Sequence, residues 1–171
     1  MRLKQKIISV ASAMACAVSF CAGAMMADAV SYSQEMQYGK YFTYRNIDED
    51  GDRQYDSVEI TNCNGSANSI SIPSKMNGLP VTRIGDSAFK QCSSTTVVIP
   101  DTVESIGSLA FNNCTDLESV IIGSNVETIG TWAFYKCSKL KSIIIPNSVT
   151  NIGSRAFSDC TKLASVTIEL K

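Results

Sequence analysis

The chain has 171 residues, with 15 Lys and Arg against 16 Asp and Glu, seven cysteines and no histidine. Its near-neutral charge and the absence of a basic cluster argue against nucleic acid or an anionic membrane surface as partner. Without histidine the usual general base and the commonest metal ligand are both missing, which weighs against hydrolytic and metal-dependent chemistry.

In chain order, Arg2, Lys4 and Lys6 form a basic start, and Ile7 to Ala24 form an apolar core rich in small residues. Residues 1–27 therefore read as a secretory signal peptide, with Ala22-Gly23-Ala24 and Ala27-Asp28-Ala29 both acceptable for cleavage. The apolar run is barely long enough to span a bilayer, so export is favoured over an anchor, with no membrane insertion after cleavage. Cleavage at Ala27 removes three basic residues and no acidic one, leaving 12 against 16 and a net charge of −4.

Residues 28–37 read as a polar leader, and 38–83 as an N-terminal β-hairpin cap followed by an opening repeat. Tyr38, Tyr41, Phe42 and Tyr44 crowd together ahead of an acidic stretch, and Val58-Glu59-Ile60 resumes after it. This pattern predicts two strands whose aromatics cover the apolar end of whatever follows and hide its open edge. Within the acidic stretch, Asn46, Asp48, Asp50 and Gly51 match the first ligand positions of a calcium loop. Position twelve falls on Ser57 instead of a bidentate Glu, and no amphipathic helices flank the loop. Asp-Gly between strands also suits a hairpin turn, so the turn is the preferred reading and no metal site is expected. Asn62-Cys63-Asn64-Gly65 then turns the chain into a strand from Ser69 to Ile72.

Residues 84–171 are organised by one short sentence written four times. Its copies are Ile84-Gly85-x-x-Ala88-Phe89-x-x-Cys92, Ile106-Gly107-x-x-Ala110-Phe111-x-x-Cys114, Ile129-Gly130-x-x-Ala133-Phe134-x-x-Cys137 and Ile152-Gly153-x-x-Ala156-Phe157-x-x-Cys160. They start 22, 23 and 23 residues apart. Apolar residues recur after each cysteine: Val97/Ile99 in the first copy, then Leu117, Val120 and Ile122, Leu140, Ile143 and Ile145, and Leu163, Val166 and Ile168. Such a period marks a solenoid, in which no single repeat can bury its own apolar side and neighbours must stack.

Each repeat divides into parts. Glu118 to Ile122 alternates and is β-branched, which suits a short front strand. Gly107 to Cys114 lacks proline and spaces Phe111 and Cys114 three apart, which predicts one or two turns of helix, α or 3₁₀. Pro100, Gly123 and Pro146 stop the strands, and Val103 to Ile106 with its copies returns the chain across the back.

The pattern Ile-Gly-x-x-Ala-Phe-x-x-Cys-x-x-Leu-x-x-Val-x-Ile-Pro resembles the BspA-type leucine-rich repeat family of bacterial surface and secreted proteins. Ile72-Pro73-Ser74-Lys75-Met76-Asn77-Gly78-Leu79-Pro80-Val81-Thr82-Arg83-Ile84-Gly85 looks like that family's usual lead into its first full repeat. The resemblance covers roughly residues 55–171 and implies an α/β solenoid, a right-handed superhelix of strand, turn and short helix. It also implies a secreted or cell-surface, non-enzymatic, adhesin-like binding module whose ligand is a protein or glycan, host-derived ones included. Fold is the specific part of the inference, because such scaffolds carry many ligands.

Five cysteines follow the signal segment, and Cys92, Cys114, Cys137 and Cys160 share one repeat position. They should form an inward ladder with neighbours about 5 Å apart, acting as small apolar residues. Export leaves disulfide pairing open, although bridging along the ladder would strain identical backbone geometries. Cys-x-x-Cys spacing is absent, which speaks against a metal site. No Gly-x-Ser-x-Gly elbow or glycine-rich phosphate loop occurs, so neither catalytic residues nor a cofactor are expected.

What remains is surface. Side chains alternate along a strand, so the front strands turn Thr96/Val98, Ser119/Ile121, Ser142/Ile144 and Ser165/Thr167 outward. Strand propensity alone would produce such a row. As a functional feature it would be a concave docking face, with an apolar stripe beside a hydroxyl stripe. Leu170-Lys171 follow the last front strand with no polar capping repeat. An alternative role is therefore a structural subunit that stacks or dimerises through its C-terminal repeat.

Overall fold

The computed structural model describes residues 31–65 and 67–169. The expected signal peptide lies outside them. The repeats coil into a β-solenoid of about five turns, built from three ladders that run along the stack.

The front ladder comprises β5 (Ser69–Ser71), β8 (Thr96–Val98) and β10 (Ser119–Ile121), then β12 (Ser142–Ile145) and β14 (Ser165–Ile168). All pairings are parallel and in repeat register: Ile70 faces Val97, Val97 faces Val120, and Ile143 faces Val166. The ladder comes in two pieces, of three and two strands. At the seam, Lys141 N–H reaches Glu118 O at 3.4 Å, whereas Ala164 N–H reaches Lys141 O at 2.9 Å one repeat later.

The back ladder joins β7 (Leu79–Ile84), β9 (Ser105–Ile106), β11 (Thr128–Ile129) and β13 (Asn151–Ile152). The predicted hairpin is present as β3 (Phe42–Asp48) and β4 (Ser57–Cys63), and it extends this back sheet: β4 lies parallel to β7, with Ile60 opposite Ile84. β6 (Lys75–Met76) folds back antiparallel on β7. Part of the stretch expected to be a polar leader is also strand. β1 (Ser31–Tyr32) and β2 (Met36–Tyr38) both pair antiparallel with β3, taking up backbone groups that its outer edge would otherwise leave open.

The third ladder overturns one expectation. Among the described residues there is no helix, and the stretch from Gly107 to Cys114 is a run of turns. Two residues per repeat adopt left-handed backbone: Ser87, Leu109, Trp132 and Arg155 at the first position, and Gln91, Asn113, Lys136 and Asp159 at the second, with φ between 56° and 61°. The amides then point alternately two ways. Ala110, Asn112 and Cys114 N–H donate three residues back, to Gly107, Leu109 and Phe111 O. Leu109, Phe111 and Asn113 N–H donate sideways, to Thr131, Ala133 and Tyr135 O of the next repeat, at 2.7–2.9 Å. A helix would satisfy its amides internally and leave nothing for the neighbour. Lateral bonding offsets about 1–2 kcal/mol of left-handed strain per residue.

Inside, phenylalanines form a column. Phe42 of the cap leads to Phe89 at 6.3 Å, then Phe111, Phe134 and Phe157 follow at 4.8, 5.0 and 5.4 Å between ring centres. Beside it runs the cysteine ladder, whose members are free thiols. Cys114, Cys137 and Cys160 thiols approach the carbonyl oxygens of Phe89, Phe111 and Phe134, one repeat back, at 3.0, 3.3 and 3.1 Å. This position therefore suits a small side chain that is apolar yet donates weakly. Hydrogen bonding with the Cys114 and Cys160 thiols, together with burial, pushes the Cys137 thiol far above its ordinary range. It is an inert packing group.

Candidate binding face

The front strands deliver the outward row as the alternation predicts. Val97, Val120, Ile143 and Ile145 are buried, while Ile121 and Ile144 expose 56% and 55% of their surface. Val98 and Thr96 are half-buried; Ser119, Ser142, Ser165 and Thr167 are exposed. Register brings Thr96 beside Ser119 and Val98 beside Ile121, and likewise Ser142 beside Ser165 and Ile144 beside Thr167. Two stripes result, one of hydroxyls and one with the exposed isoleucines at its centre. The two isoleucines sit on either side of the seam between β10 and β12.

The face has one rung more than the alternation supplies. β5 pairs with β8 so that Ser69 joins the hydroxyl stripe and Ser71 stands opposite Val98. The apolar stripe thus begins after a serine and ends at Thr167, flanked by hydroxyls at both ends. The sequence places this strand but not its register against β8, because the first full repeat is one residue shorter between Cys92 and Val97.

One margin of the face is charged. Lys139 Nζ meets Asp116 Oδ1 at 2.7 Å, and Lys141 Nζ meets Glu118 Oε2 at 2.6 Å, each pair linking the second repeat to the third. The Lys141 ammonium holds the Glu118 carboxyl below its ordinary range, and the Asp116 carboxylate raises Lys139. Both pairs are exposed, so they contribute charge pattern more than stability. Ser138 and Lys141 have a Ser-x-x-Lys spacing. It brings no nucleophile and base together, since Ser138 Oγ donates to Thr115 O and Lys141 is held by Glu118.

The acidic stretch forms a wide loop between β3 and β4, longer than a two-residue Asp-Gly turn. It brings Asp48, Asp50 and Asp56 together, with carboxylate oxygens all within 4.8 Å of one another. Much of their acceptor capacity goes to the loop's own backbone. Asp48 accepts Gly51 N–H at 2.8 Å and Arg53 N–H at 3.1 Å, Asp50 accepts Asp52 N–H at 3.0 Å, and Asp56 accepts Glu49 N–H at 2.8 Å. Asp48 is buried, and Asp50 is exposed. Asp48→Ala is therefore expected to lower stability by about 2–3 kcal/mol, and Asp50→Ala by under about 1 kcal/mol. Urea unfolding of both variants checks this, and equal losses would contradict the assigned role of Asp48.

Three parallel ladders, a repeated front face and a strand cap define the class: a leucine-rich repeat β-solenoid. The BspA type leucine rich repeat region (6 copies) matches residues 82–171. A leucine-rich repeat protein from Bacteroides capillosus is 33% identical, with 81% of this chain and 100% of that one covered and a TM-score of 0.68. The T. pallidum leucine rich repeat protein is 32% identical over 76% of this chain and 70% of its own, with a TM-score of 0.63. The pneumococcal vaccine antigen PcpA shares the fold at 19% identity and a TM-score of 0.61, over 80% of this chain and 38% of its own. No curated protein matches the chain. This chain belongs to the BspA-type leucine-rich repeat family.

Proposed function

We propose that the chain is an exported, non-enzymatic, adhesin-like binding module that docks a protein or glycan on its front strand face, at the cell surface or beyond it. The observation that carries the reading is the pair Ile121 and Ile144. These are two large aliphatic side chains, each more than half exposed, on neighbouring strands between a hydroxyl stripe and charged rungs. Apolar centre with polar margin is the anatomy of a docking patch. Export is supported by the basic and apolar N-terminal segment, and a binding role by membership of a repeat family that presents surfaces instead of pockets.

The test is the double substitution Ile121→Lys and Ile144→Lys, measured against immobilised extracellular proteins and a glycan array. Saturable binding should fall by at least about tenfold, while stability stays within about 0.5 kcal/mol per site because both side chains are exposed. Binding that survives both changes would sink the front-face reading.

A second reading rests on another apolar surface. Ile152, Val166 and Ile168 expose 44%, 51% and 61% on the fourth repeat, and a second copy seated there would make the protein an assembly subunit. Light scattering across a wide concentration range decides it. A stable monomer removes the assembly reading, and a concentration-dependent rise in mass supports it.

A further inference from the structure

A cleft of about 240 Å³ lies where the cap meets the first full repeat, lined by Glu35, Arg45, Glu59, Thr61, Gly85 and Asp86. It is a by-product of how the stack begins. In every repeat the residue after the back-ladder isoleucine is glycine; at Gly130 and Gly153 the space a side chain would occupy is filled by the backbone of the turn before, and at Gly107 by Asp86 Oδ1 together with that backbone. At Gly85 that neighbour is the cap, where Ile60 stands opposite Ile84 and Thr61 follows. The cap strand places polar side chains there in place of a turn. The glycine is still required, because a Cβ on it would lie 2.7 Å from Glu59 Oε1 and 2.9 Å from Ile60 O.

The cleft offers acceptors in excess. Glu59 is buried to about nine-tenths and lines the cleft; its Oε2 takes Arg45 Nε at 2.6 Å, while Oε1 lies beside Gly85. Thr61 Oγ1 is buried with no hydrogen-bond partner. Asp86 Oδ1 accepts Ser108 N–H at 2.6 Å, leaving Oδ2. Glu35 makes no ion pair among the described residues. Three carboxylates and one guanidinium line the cleft, and that guanidinium is already held by Glu59 and lies 4.0 Å over the Tyr32 ring; Arg83, opposite Glu59 on β7, is turned to Glu49 at 3.6 Å.

We infer that this cleft takes the guanidinium head of an arginine side chain presented by a partner protein. The charge balance selects a cation: a neutral polyol would desolvate the carboxylates without neutralising them. The spacing selects an extended cation over a metal ion. Among the described residues only Asp48, Asp50 and Asp56 bring ligand atoms close enough for one ion, and none of the cleft carboxylates belongs to that group. A planar fork with five donors reaches acceptors on separate walls, which a compact ammonium does less well. The site is distinct from the front face and stands or falls without it.

The test is a titration of the full chain with N-acetyl-L-arginine amide, followed by backbone amide resonances. N-acetyl-L-citrulline amide serves as the neutral isostere. The amides of Thr61, Gly85 and Asp86 should shift saturably with the arginine derivative and at least about tenfold more weakly with citrulline. Asp86→Asn and Glu35→Gln should each weaken the arginine interaction by about two- to fivefold. Neither variant removes the Arg45–Glu59 pair, and in Asp86→Asn the side-chain amide oxygen can still accept Ser108 N–H, so the fold is preserved. Equal binding of citrulline would overturn the inference, as would unchanged affinity in both variants or no saturable shift at these amides. Calcium chloride or a methyl glycoside moving the same amides where the arginine derivative does not would also overturn it.

Discussion

Phe111→Ala is expected to cost about 3–5 kcal/mol, a large share of the roughly 5–15 kcal/mol that holds a domain of this size together. The ring is fully buried and stacked on both faces, 4.8 Å from Phe89 and 5.0 Å from Phe134, the latter within 2° of parallel. Truncation removes two aromatic contacts and opens a void in a close-packed column. Phe157 provides the internal control. It is half-buried with a single stacked neighbour, Phe134 at 5.4 Å, so its alanine variant should lose about half as much or less. Stability in a solenoid is a sum of repeat and neighbour terms. A cycle combining Phe111→Ala with Phe134→Ala should accordingly show a coupling of about 0.5–1.5 kcal/mol. Urea unfolding followed by circular dichroism measures all three. A loss at Phe111 no larger than that at Phe157 would mean the column is a row of independent packers.

Much of this architecture is legible in the chain because the repeat writes it four times. Ile-Gly, Ala-Phe and Cys recur at fixed offsets, and each offset maps to one column of the stack. The outward row is readable for the same reason, since period-two alternation fixes which side chains face out once a strand is placed. The turn ladder is not readable. Leu109, Trp132 and Arg155 are poor markers of left-handed backbone, which glycine or asparagine would have signalled. A proline-free run with apolar residues three apart looks helical when taken one repeat at a time. What decides its conformation is the next repeat, whose carbonyls claim every second amide. The polar cleft is hidden for a related reason. Glu35, Glu59 and Asp86 are far apart in the chain, and the parallel pairing of β4 with β7 is what brings the cap's charges against the first repeat. A parallel pairing between cap and repeat leaves no turn signal to read.

Gly130→Ala is expected to destabilise by about 3 kcal/mol or more, against a baseline on which alanine would be favoured. Glycine loses more chain entropy on folding than alanine, so a tolerant site would gain about 0.4–1 kcal/mol from the change. Gly130 does not sit in the left-handed region, so conformation alone would not oppose the substitution. Sterics do. An added Cβ would lie 2.5 Å from Gly107 C, 2.6 Å from Ser108 N and 2.7 Å from Gly107 O, all backbone atoms of the preceding turn. A flexible side chain could rotate aside, but a ladder strand can only move as a unit. Relief would have to lengthen the bond from Gly130 N–H to Ile106 O, now 2.8 Å, and the lateral bond from Leu109 N–H to Thr131 O, now 2.9 Å. The back and turn ladders would therefore open together between the second and third repeats, beyond the usual cost of about 1–3 kcal/mol for an overpacked core. Gly39 sets the opposite reference. Its φ is +59° and nothing lies within 4 Å of its Cβ position, so Gly39→Ala carries only the backbone penalty of about 1 kcal/mol. Hydrogen exchange should locate the damage, with protection lost first at the Leu109 and Gly130 amides and retained at Gly85. A Gly130→Ala protein as stable as the parent would refute the close approach of successive turns, and with it the reason every repeat keeps glycine after its back-ladder isoleucine.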